Sequence, residues 1–351
     1  MATARKSRKP ATYNATLAAV VALDLNDRKR LLNALRDLLM PHSFTLLGDA
    51  VNLREKRFHK GLNCPHCTSE QVRRHGMMRD RQRYLCRACG KTFNDTTGTP
   101  LAGTHLLSKW NDYLECLLDG LSLRKTCQLL EISLTTAFYW RHKVLNALRR
   151  LEREGFKGVL EVDETYLLES RKGDRHITDR APRKRGGKAP KRGISKDLDC
   201  ILVARDRNGL TLAQIAARGR ISLSQAASAL NGILDDVTVL CSDAANTWRL
   251  FAQIEDIDHV ELNASKRERV KNIYHIQNAN GFHGRLKQWI KRFNGVSSKF
   301  LNNYLVLFRF LDARSKEAPR SRREGLLSTA FMTPAPETYH TIKSTCFVYP
   351  A

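Results

Sequence analysis

Apolar positions recur at helical spacing near the start of the chain, where Leu17, Val20 and Val21 are followed by Leu31, Leu35 and Leu38. A break near Asp24–Asn26 divides them, so the pattern predicts two short helices within residues 16–40, the second stopped by Pro41. Residues 1–12 are expected to be a basic, disordered arm. Residues 60–100 lose the helical period and are rich in Cys and Arg, and residues 104–154 regain it. Beyond Gly158 the pattern turns to strands. LEVDETYLL is one, and DCILVARDR and LTLAQIAAR are two more, with Asn208–Gly209 between them as a hairpin signal. Ser222–Leu234 follows as a helix, then VTVLCSD and HVELNA as short strands. Residues 278–314 are helical, with Leu286, Ile290 and Phe293 at the right spacing, and the Arg- and Pro-rich tail from Ala318 is expected to be irregular. There is no internal repeat. This order of elements predicts an α+β protein of two or three domains.

Charge narrows the partners. Lys and Arg number 60 against 35 Asp and Glu, a formal net charge of +25 in 351 residues. So basic a surface attracts polyanions, nucleic acid foremost. A charge excess serving only solubility is the plainer reading, but the basic residues are clustered. Eleven of them fall in Arg171–Lys196, a stretch of Lys, Arg, Gly and Pro that must be a loop or an extended arm. Within it Lys184, Arg185, Lys191 and Arg192 are candidates to track a phosphate backbone, although a solvated charge run has the same composition. No apolar run approaches the ~18 residues of a membrane span. The basic start MATARKSRKP lacks the apolar stretch of a secretory signal. Cys116, Cys127, Cys200, Cys241 and Cys346 stand singly in apolar surroundings, which fits buried thiols in a reducing, cytosolic compartment.

The other four Cys form a set. Cys64-Pro-His-Cys67 and Cys86-Arg-Ala-Cys89 have the C-x2-C…C-x2-C form with 18 residues between the pairs. Each knuckle points two thiolates at one tetrahedral centre. Four soft thiolates suit Zn²⁺ and leave no position open for water, so the expected role is structural. Two matched pairs argue against a redox C-x-x-C. His66 and His75 are expected to face solvent rather than ligate.

Leu121–Leu145 has the form of a helix-turn-helix. Leu123, Cys127 and Leu130 give a first helix its apolar face, Glu131–Ser133 break it, and a second helix starts at Leu134. Thr135, Thr136 and Tyr139 near the start of that helix are candidates for base edges, and Arg141, His142 and Lys143 for phosphates. A helical hairpin packed under the following domain fits the same pattern.

Two acids suggest chemistry. In LEVDETY, alternation puts Glu161, Asp163 and Thr165 on one face of a strand and Glu164 on the other. Asp243 ends the apolar run Val237–Cys241, where a carboxylate opens toward the crevice that α/β sheets use for chemistry. Each alone fits a turn residue or a helix cap. Together they suit divalent metals about 3.5–4 Å apart, the arrangement that phosphoryl transfer on DNA uses. Trp248 and Trp289 are expected in the core.

With these motifs in place, the chain resembles bacterial insertion-sequence transposases of the DDE class that carry an N-terminal zinc ribbon. Four stretches carry the resemblance: YLCRACGKTFNDTTGTPL from Tyr84, VDETY from Val162, LCSD from Leu240 and YHIQNANGFHGRLKQW from Tyr274. The resemblance spans about residues 60–315. After the basic arm and short helices at 1–57, it implies a zinc ribbon at 58–103 and a helix-turn-helix-like DNA-binding region at 104–155. A ribonuclease-H-like mixed α/β catalytic domain then occupies 156–317, with the basic loop 171–196 inside it, and 318–351 are a tail. Asp163 and Asp243 match the first two metal-binding acids of the family. The third is normally a Glu with a basic residue seven positions on, and here Asn280 and Lys287 hold those places. An Asn amide oxygen can ligate Mg²⁺ but carries no charge and cannot act as a base. Some members resemble this chain in having Asn there. His283, one turn after Asn280, is placed to assist.

What the resemblance implies for function is DNA strand cleavage and strand transfer with Mg²⁺ or Mn²⁺. The partners would be double-stranded DNA, both the terminal inverted repeats of an element and its target. Assembly as a homodimer or larger on DNA, and a place in the bacterial cytoplasm with the nucleoid, go with that reading. Two rivals stay open. One is a zinc-ribbon DNA-binding regulator whose catalytic domain is dead because of Asn280. The other is a structure-specific nuclease without strand transfer.

Overall fold

The computed structural model of the chain describes residues 13–25, 27–28, 31, 57–58, 61–78, 81–151, 154–183, 186–187, 189–263, 266–335, 337–345 and 349–350. The chain forms two units, residues 1–52 and 53–351. In the first, α1 runs from Tyr13 to Ala22 with Leu17 and Val21 exposed. The expected basic arm and most of the second expected helix lie outside the described residues, as do Lys184, Arg185 and Cys346.

The second unit opens with a small antiparallel sheet, β1 (Val72–Met78), β2 (Arg81–Cys86) and β3 (Thr92–Phe93), in that order. Its core is little more than Cys64, Tyr84, Cys86 and Phe93, with Tyr84 stacked on Phe93 at 5.5 Å between ring centroids. Helices α2 (Trp110–Leu118), α3 (Leu123–Leu130) and α4 (Leu134–Arg149) follow. Ser122 and Ser133 start α3 and α4 as N-caps, their hydroxyls accepting the backbone N–H of Lys125 and Thr136. Glu131 at φ +52° makes the left-handed turn that ends α3. Trp110 stacks on Trp140 at 4.9 Å, locking α2 to α4.

The main sheet takes β4 (Lys157–Leu168), β5 (Leu198–Asp206) and β6 (Thr211–Arg218), then α5 (Leu223–Leu230), β7 (Asp236–Asp243), α6 (Asn246–Ile254) and β8 (Asp258–Leu262). Spatial order is β6-β5-β4-β7-β8. The first three strands are antiparallel neighbours, and β7 and β8 run parallel to β4. Parallel neighbours need crossovers, which α5 and α6 supply. Asn208–Gly209 turns β5 into β6, with Gly209 at φ +91°. The alternation in β4 divides its side chains. Leu160 and Val162 join Cys200, Leu202, Trp248 and Phe251 in the core under α5 and α6. Each such fully buried apolar side chain stabilises the fold by roughly 1.5–3 kcal/mol.

Strands β9 (Val270–Lys271) and β10 (Tyr274–His275) form a short hairpin leading into α7 (Gln277–Lys291). The helical stretch expected over 278–314 is two helices, because Asn294 (φ +53°) and Gly295 (φ +91°) turn the chain before α8 (Ser298–Ala313). Lys172 holds that turn, its Nζ donating to the carbonyls of Phe293, Asn294 and Gly295 at 3.1, 3.2 and 2.8 Å. Helix α7 packs on β4 and β5, and α8 packs on β6 and α4.

The tail departs from expectation. Instead of an irregular 318–351, the chain forms α9 (Pro319–Met332) and α10 (Tyr339–Lys343). Pro319 sits at the helix start, where a missing N–H costs nothing. Leu326, Leu327, Ala330 and Phe331 are buried, an apolar face that the surrounding arginines hide from a reading of composition. Among the described residues no helix is long and apolar enough to cross a membrane.

Candidate functional site

The ribbon thiols meet. Cys64, Cys67, Cys86 and Cys89 place their ligand atoms within 4.8 Å of one another, with Cys64 Sγ 3.7 Å from Cys89 Sγ and Cys67 Sγ 3.6 Å from Cys86 Sγ. A tetrahedron with Zn–S bonds of about 2.3 Å has edges of about 3.8 Å, so the donor set fits zinc. The two knuckles repeat one backbone device. Thr68 N donates to Cys64 O and Gly90 N to Cys86 O, and both Thr68 (φ +60°) and Gly90 (φ +69°) are left-handed. Hydrogen bonding from the Cys89 amide and from neighbouring thiols pulls Cys86 down to about 6 against the opposing effect of burial, toward the thiolate that binds metal. His66 and His75 are exposed.

The acids form a second group. The β4–β7 pairing ends at Glu161 opposite Cys241, and two further residues on each strand bring Asp163 level with Asp243. Asp163 lies on the α7 side of the sheet. One of its oxygens accepts the Glu164 N–H at 2.9 Å, and the other is 3.6 Å from His283 Nδ1. Burial first, and then the Asp243 carboxylate, push Asp163 up to about 6, against the Glu164 amide and Lys287. Burial and Lys287 push His283 down to about 4, so at neutral pH its ring is uncharged. At 3.6 Å it touches Asp163 without a close hydrogen bond. His283 Nε2 is buried and has no hydrogen-bond partner among the described residues. Asn280, His283 and Lys287 follow one another at helical spacing along α7, and Asn280 is exposed. Asp243 spends one oxygen on the Ala245 N–H at 3.1 Å, the turn role open to any strand-end Asp. Asp163 and Asp243 are a carboxylate pair with Lys287 as a nearby cation, a donor set that fits a divalent metal with oxygen ligands. Of the adjoining helix, His283 reaches Asp163, and Asn280 is exposed one turn before it.

Two acids beside these were assigned to faces of the strand by the sequence but given no role. Glu164 points to the opposite face, where Trp248 Nε1 donates to it at 2.8 Å. Burial, then Asp243 and Asp163, push it up to about 7. It lines a cavity of about 260 Å³ together with Asp243, Tyr166, Arg220, Asn246 and Thr247. Glu161 is fully buried and meets the start of α7. Its signal was a charged residue at a core-facing strand position.

The DNA-contact candidates divide. Thr135 is exposed, whereas Thr136 is half-buried and bonded to Ser133 Oγ at 2.8 Å. Tyr139 donates to Glu337 O at 3.3 Å and meets the Tyr339 ring edge-on. Arg141 is 1% exposed, so its expected phosphate contact is corrected: Nη2 donates to Leu121 O at 2.8 Å and the guanidinium lies over Phe293 at 5.5 Å. His142 and Lys143 are buried with it, and Lys143 Nζ donates to Ala102 O at 2.5 Å. In the basic loop, Arg171, Arg180 and Arg183 are engaged by Glu169, Asp179 and Asp197. Lys191 and Arg192 are exposed.

Comparison with known proteins adds to this geometry. Residues 155–311 match the ISXO2-like transposase domain of the IS1595 family. A protein of Halobacterium salinarum, described as an uncharacterized protein in transposable element ISH50, is 27% identical over 288 residues, which cover 79% of this chain and 94% of that one. A crystal structure of a pre-cleavage Mos1 transpososome covers 63% of this chain and 78% of its own at 12% identity, with a TM-score of 0.23. A Mos1 paired-end complex with left transposon end covers 60% and 78% at 13% identity, also with a TM-score of 0.23. Scores that low carry no argument about this chain. Residues 155–311 are thus similar to an ISXO2-like transposase domain, and most of the chain is similar to a protein described from a transposable element.

Proposed function

We propose that the protein cuts and rejoins DNA strands by metal-dependent phosphoryl transfer, and that residues 156–317 are a ribonuclease-H-like catalytic domain. The observation that carries this is the pair Asp163, within β4, and Asp243, at the end of the adjacent parallel strand β7, brought level by the register of the two strands. Strand order β6-β5-β4-β7-β8, with the pair on the two central parallel strands, supports the fold assignment.

Asp163 and Asp243, with Asn280, would hold Mg²⁺ or Mn²⁺, which supplies charge neutralisation at the scissile phosphate. Uncharged His283, in contact with Asp163, is placed to take a proton from the attacking hydroxyl. Lys287 offers a cation to the phosphate from the same helix face. Water attacks phosphorus at the element end and the P–O3′ bond breaks; the freed 3′-hydroxyl then attacks a target phosphodiester in line, breaking its P–O3′ bond and leaving a target 3′-hydroxyl. Exposed Lys191 and Arg192 in a chain of net charge +25 support double-stranded DNA as partner. The zinc ribbon at 58–103 and helices at 104–155 would grip element ends, and two or more copies would pair them.

The test is nicking of duplex element ends by purified protein with Mg²⁺ or Mn²⁺. Asp163→Asn or Asp243→Asn should lower nicking by a factor on the order of 10³ or more, the scale of a lost transition-state charge contact, and leave end binding intact. A wild-type protein that binds ends and never nicks them would instead be a regulator.

A further inference from the structure

We propose that Glu161 is a positioning residue: it caps the N-terminus of α7 from the neighbouring strand and so sets where Asn280 and His283 stand against Asp163. This rests on the reading of Asp163 and α7 as catalytic.

Helix α7 lacks a cap of its own. Its N-cap residue is Ile276, which offers no side-chain acceptor. The first helical N–H groups have no partner within a helix, and the side chain at the N-cap normally accepts those of the second and third residues. Here Glu161 does so from the sheet. Its Oε2 accepts the N–H of Asn278 at 2.8 Å and of Ala279 at 3.1 Å, and its Oε1 accepts Asn278 Nδ2 at 2.8 Å. Arg207, from the β5–β6 hairpin, pairs with the same Oε1 at 2.6 Å, and His275 Nδ1 stands at 3.3 Å. Arg207 Nη2 also donates to Ile273 O at 3.2 Å, so the hairpin, the strand and the entry to the helix are tied at one carboxylate.

A local cap would fix the shape of the helix end and nothing else. A cap on β4 fixes its position, because Glu161 lies two residues before Asp163 on the same face. Asn280 and His283 then follow at set heights along α7. A fully buried carboxylate is stable only when its charge is matched and its lone pairs are filled. Three N–H donors and a guanidinium fill them, which excludes Glu161 as a replacement for the family's third metal-binding acid.

Glu161→Gln removes the charge and one acceptor oxygen, and Asn278→Ala is a milder variant that removes only the side-chain contact. Amide hydrogen exchange on the full-length protein should show Asn278 and Ala279 exchanging roughly tenfold faster in Glu161→Gln, the factor that about 1.4 kcal/mol of local opening represents. Exchange in β5 should not change. Nicking should fall roughly 10- to 100-fold, the scale of an ångström's misplacement, with the affinity for end DNA unchanged. Combined with Asn280→Ala, Glu161→Gln should lower nicking little further, since both act through the same placement. Unchanged exchange at Asn278 and Ala279, or losses that multiply in the double variant, would overturn the proposal. If wild-type protein does not nick, the transposition reading fails, and the exchange measurement still decides whether Glu161 caps α7.

Discussion

In the ribbon, four sulfurs converge from two hairpin turns, and Cys64 and Cys89 are only 25 residues apart. In the sheet domain, Asp163, Asp243 and Asn280 come from β4, β7 and α7, elements with long stretches of chain between them. The ribbon has a handful of core side chains, whereas the sheet buries a much larger apolar cluster around Leu160, Leu202, Trp248 and Phe251. With so small a core, the first site is the one expected to depend on an ion for its fold. The second is built by the fold and holds its carboxylates together against their own repulsion. On the proposed reading, a metal would stabilise structure in the one place and serve chemistry in the other.

That contrast can be broken most forcefully at Cys86. Structural zinc contributes on the order of 10 kcal/mol in small domains. Cys86→Ser should lose zinc and open residues 61–95 to protease, while the sheet domain still unfolds cooperatively. Metal content and limited proteolysis check this. A ribbon that stays protected without zinc would erase the distinction.

The acid pair sharpens the comparison through pH. Asp163 in the folded chain titrates at about 6, above its ordinary 3.8. The folded state therefore binds this proton more tightly than the unfolded state, and the wild-type chain loses stability as pH rises from about 4 to about 6. In cation-free buffer Asp163→Asn should be the more stable protein above that window by about 2–3 kcal/mol, with the gap closing toward pH 4. Mg²⁺ should narrow it. His283, lowered to about 4, acts in the opposite sense, losing stability as pH falls below its ordinary 6.5, but it is common to both proteins. Denaturant melts at several pH values, with and without Mg²⁺, measure the difference. A gap that does not vary with pH would mean that the fold does not strain this pair.

A smaller effect separates cations that build from cations that bind. Arg141→Ala should lower stability by about 2–3 kcal/mol through unfilled buried carbonyl and hydroxyl partners, without altering the salt dependence of DNA binding. Replacing Lys191 and Arg192 together by Ala should change stability by less than about 0.5 kcal/mol. It should reduce the slope of log affinity against log salt by about 2.

Much of this was legible in the chain. The Cys spacing is a local signal and specifies its own geometry, so it survives without knowledge of the rest. The strands from Leu160 to Leu262 were visible because a sheet packed on both faces still alternates at Glu161, Asp163 and Glu164. Arg141 and His142 were misread because their burial depends on α8, which lies far along the sequence and supplies Tyr304 beside the guanidinium and Asn303 beside the imidazole. The two tail helices were hidden because Arg320, Arg322 and Arg323 mask an apolar stripe of four residues. The partnership of Glu161 with α7 was invisible for the same reason as that of Arg141, since a contact between distant elements leaves no spacing to read.

Lys172 and Glu161 belong to one run of backbone, and between them they bracket α7. The anion meets the amino end of the helix, and the cation sits on the carbonyls just past its carboxyl end. Those are the signs that complement the helix macrodipole, so the polarity of α7 is matched by charges delivered from a single neighbouring segment. The spacing between the two is then a fixed length in the same sense that a side chain is a fixed identity. Losing or gaining one residue there would either roll Asp163 to the wrong face of the sheet or pull Lys172 off its carbonyls. The segment from Glu161 to Lys172 is under a constraint of count, whatever its individual residues touch.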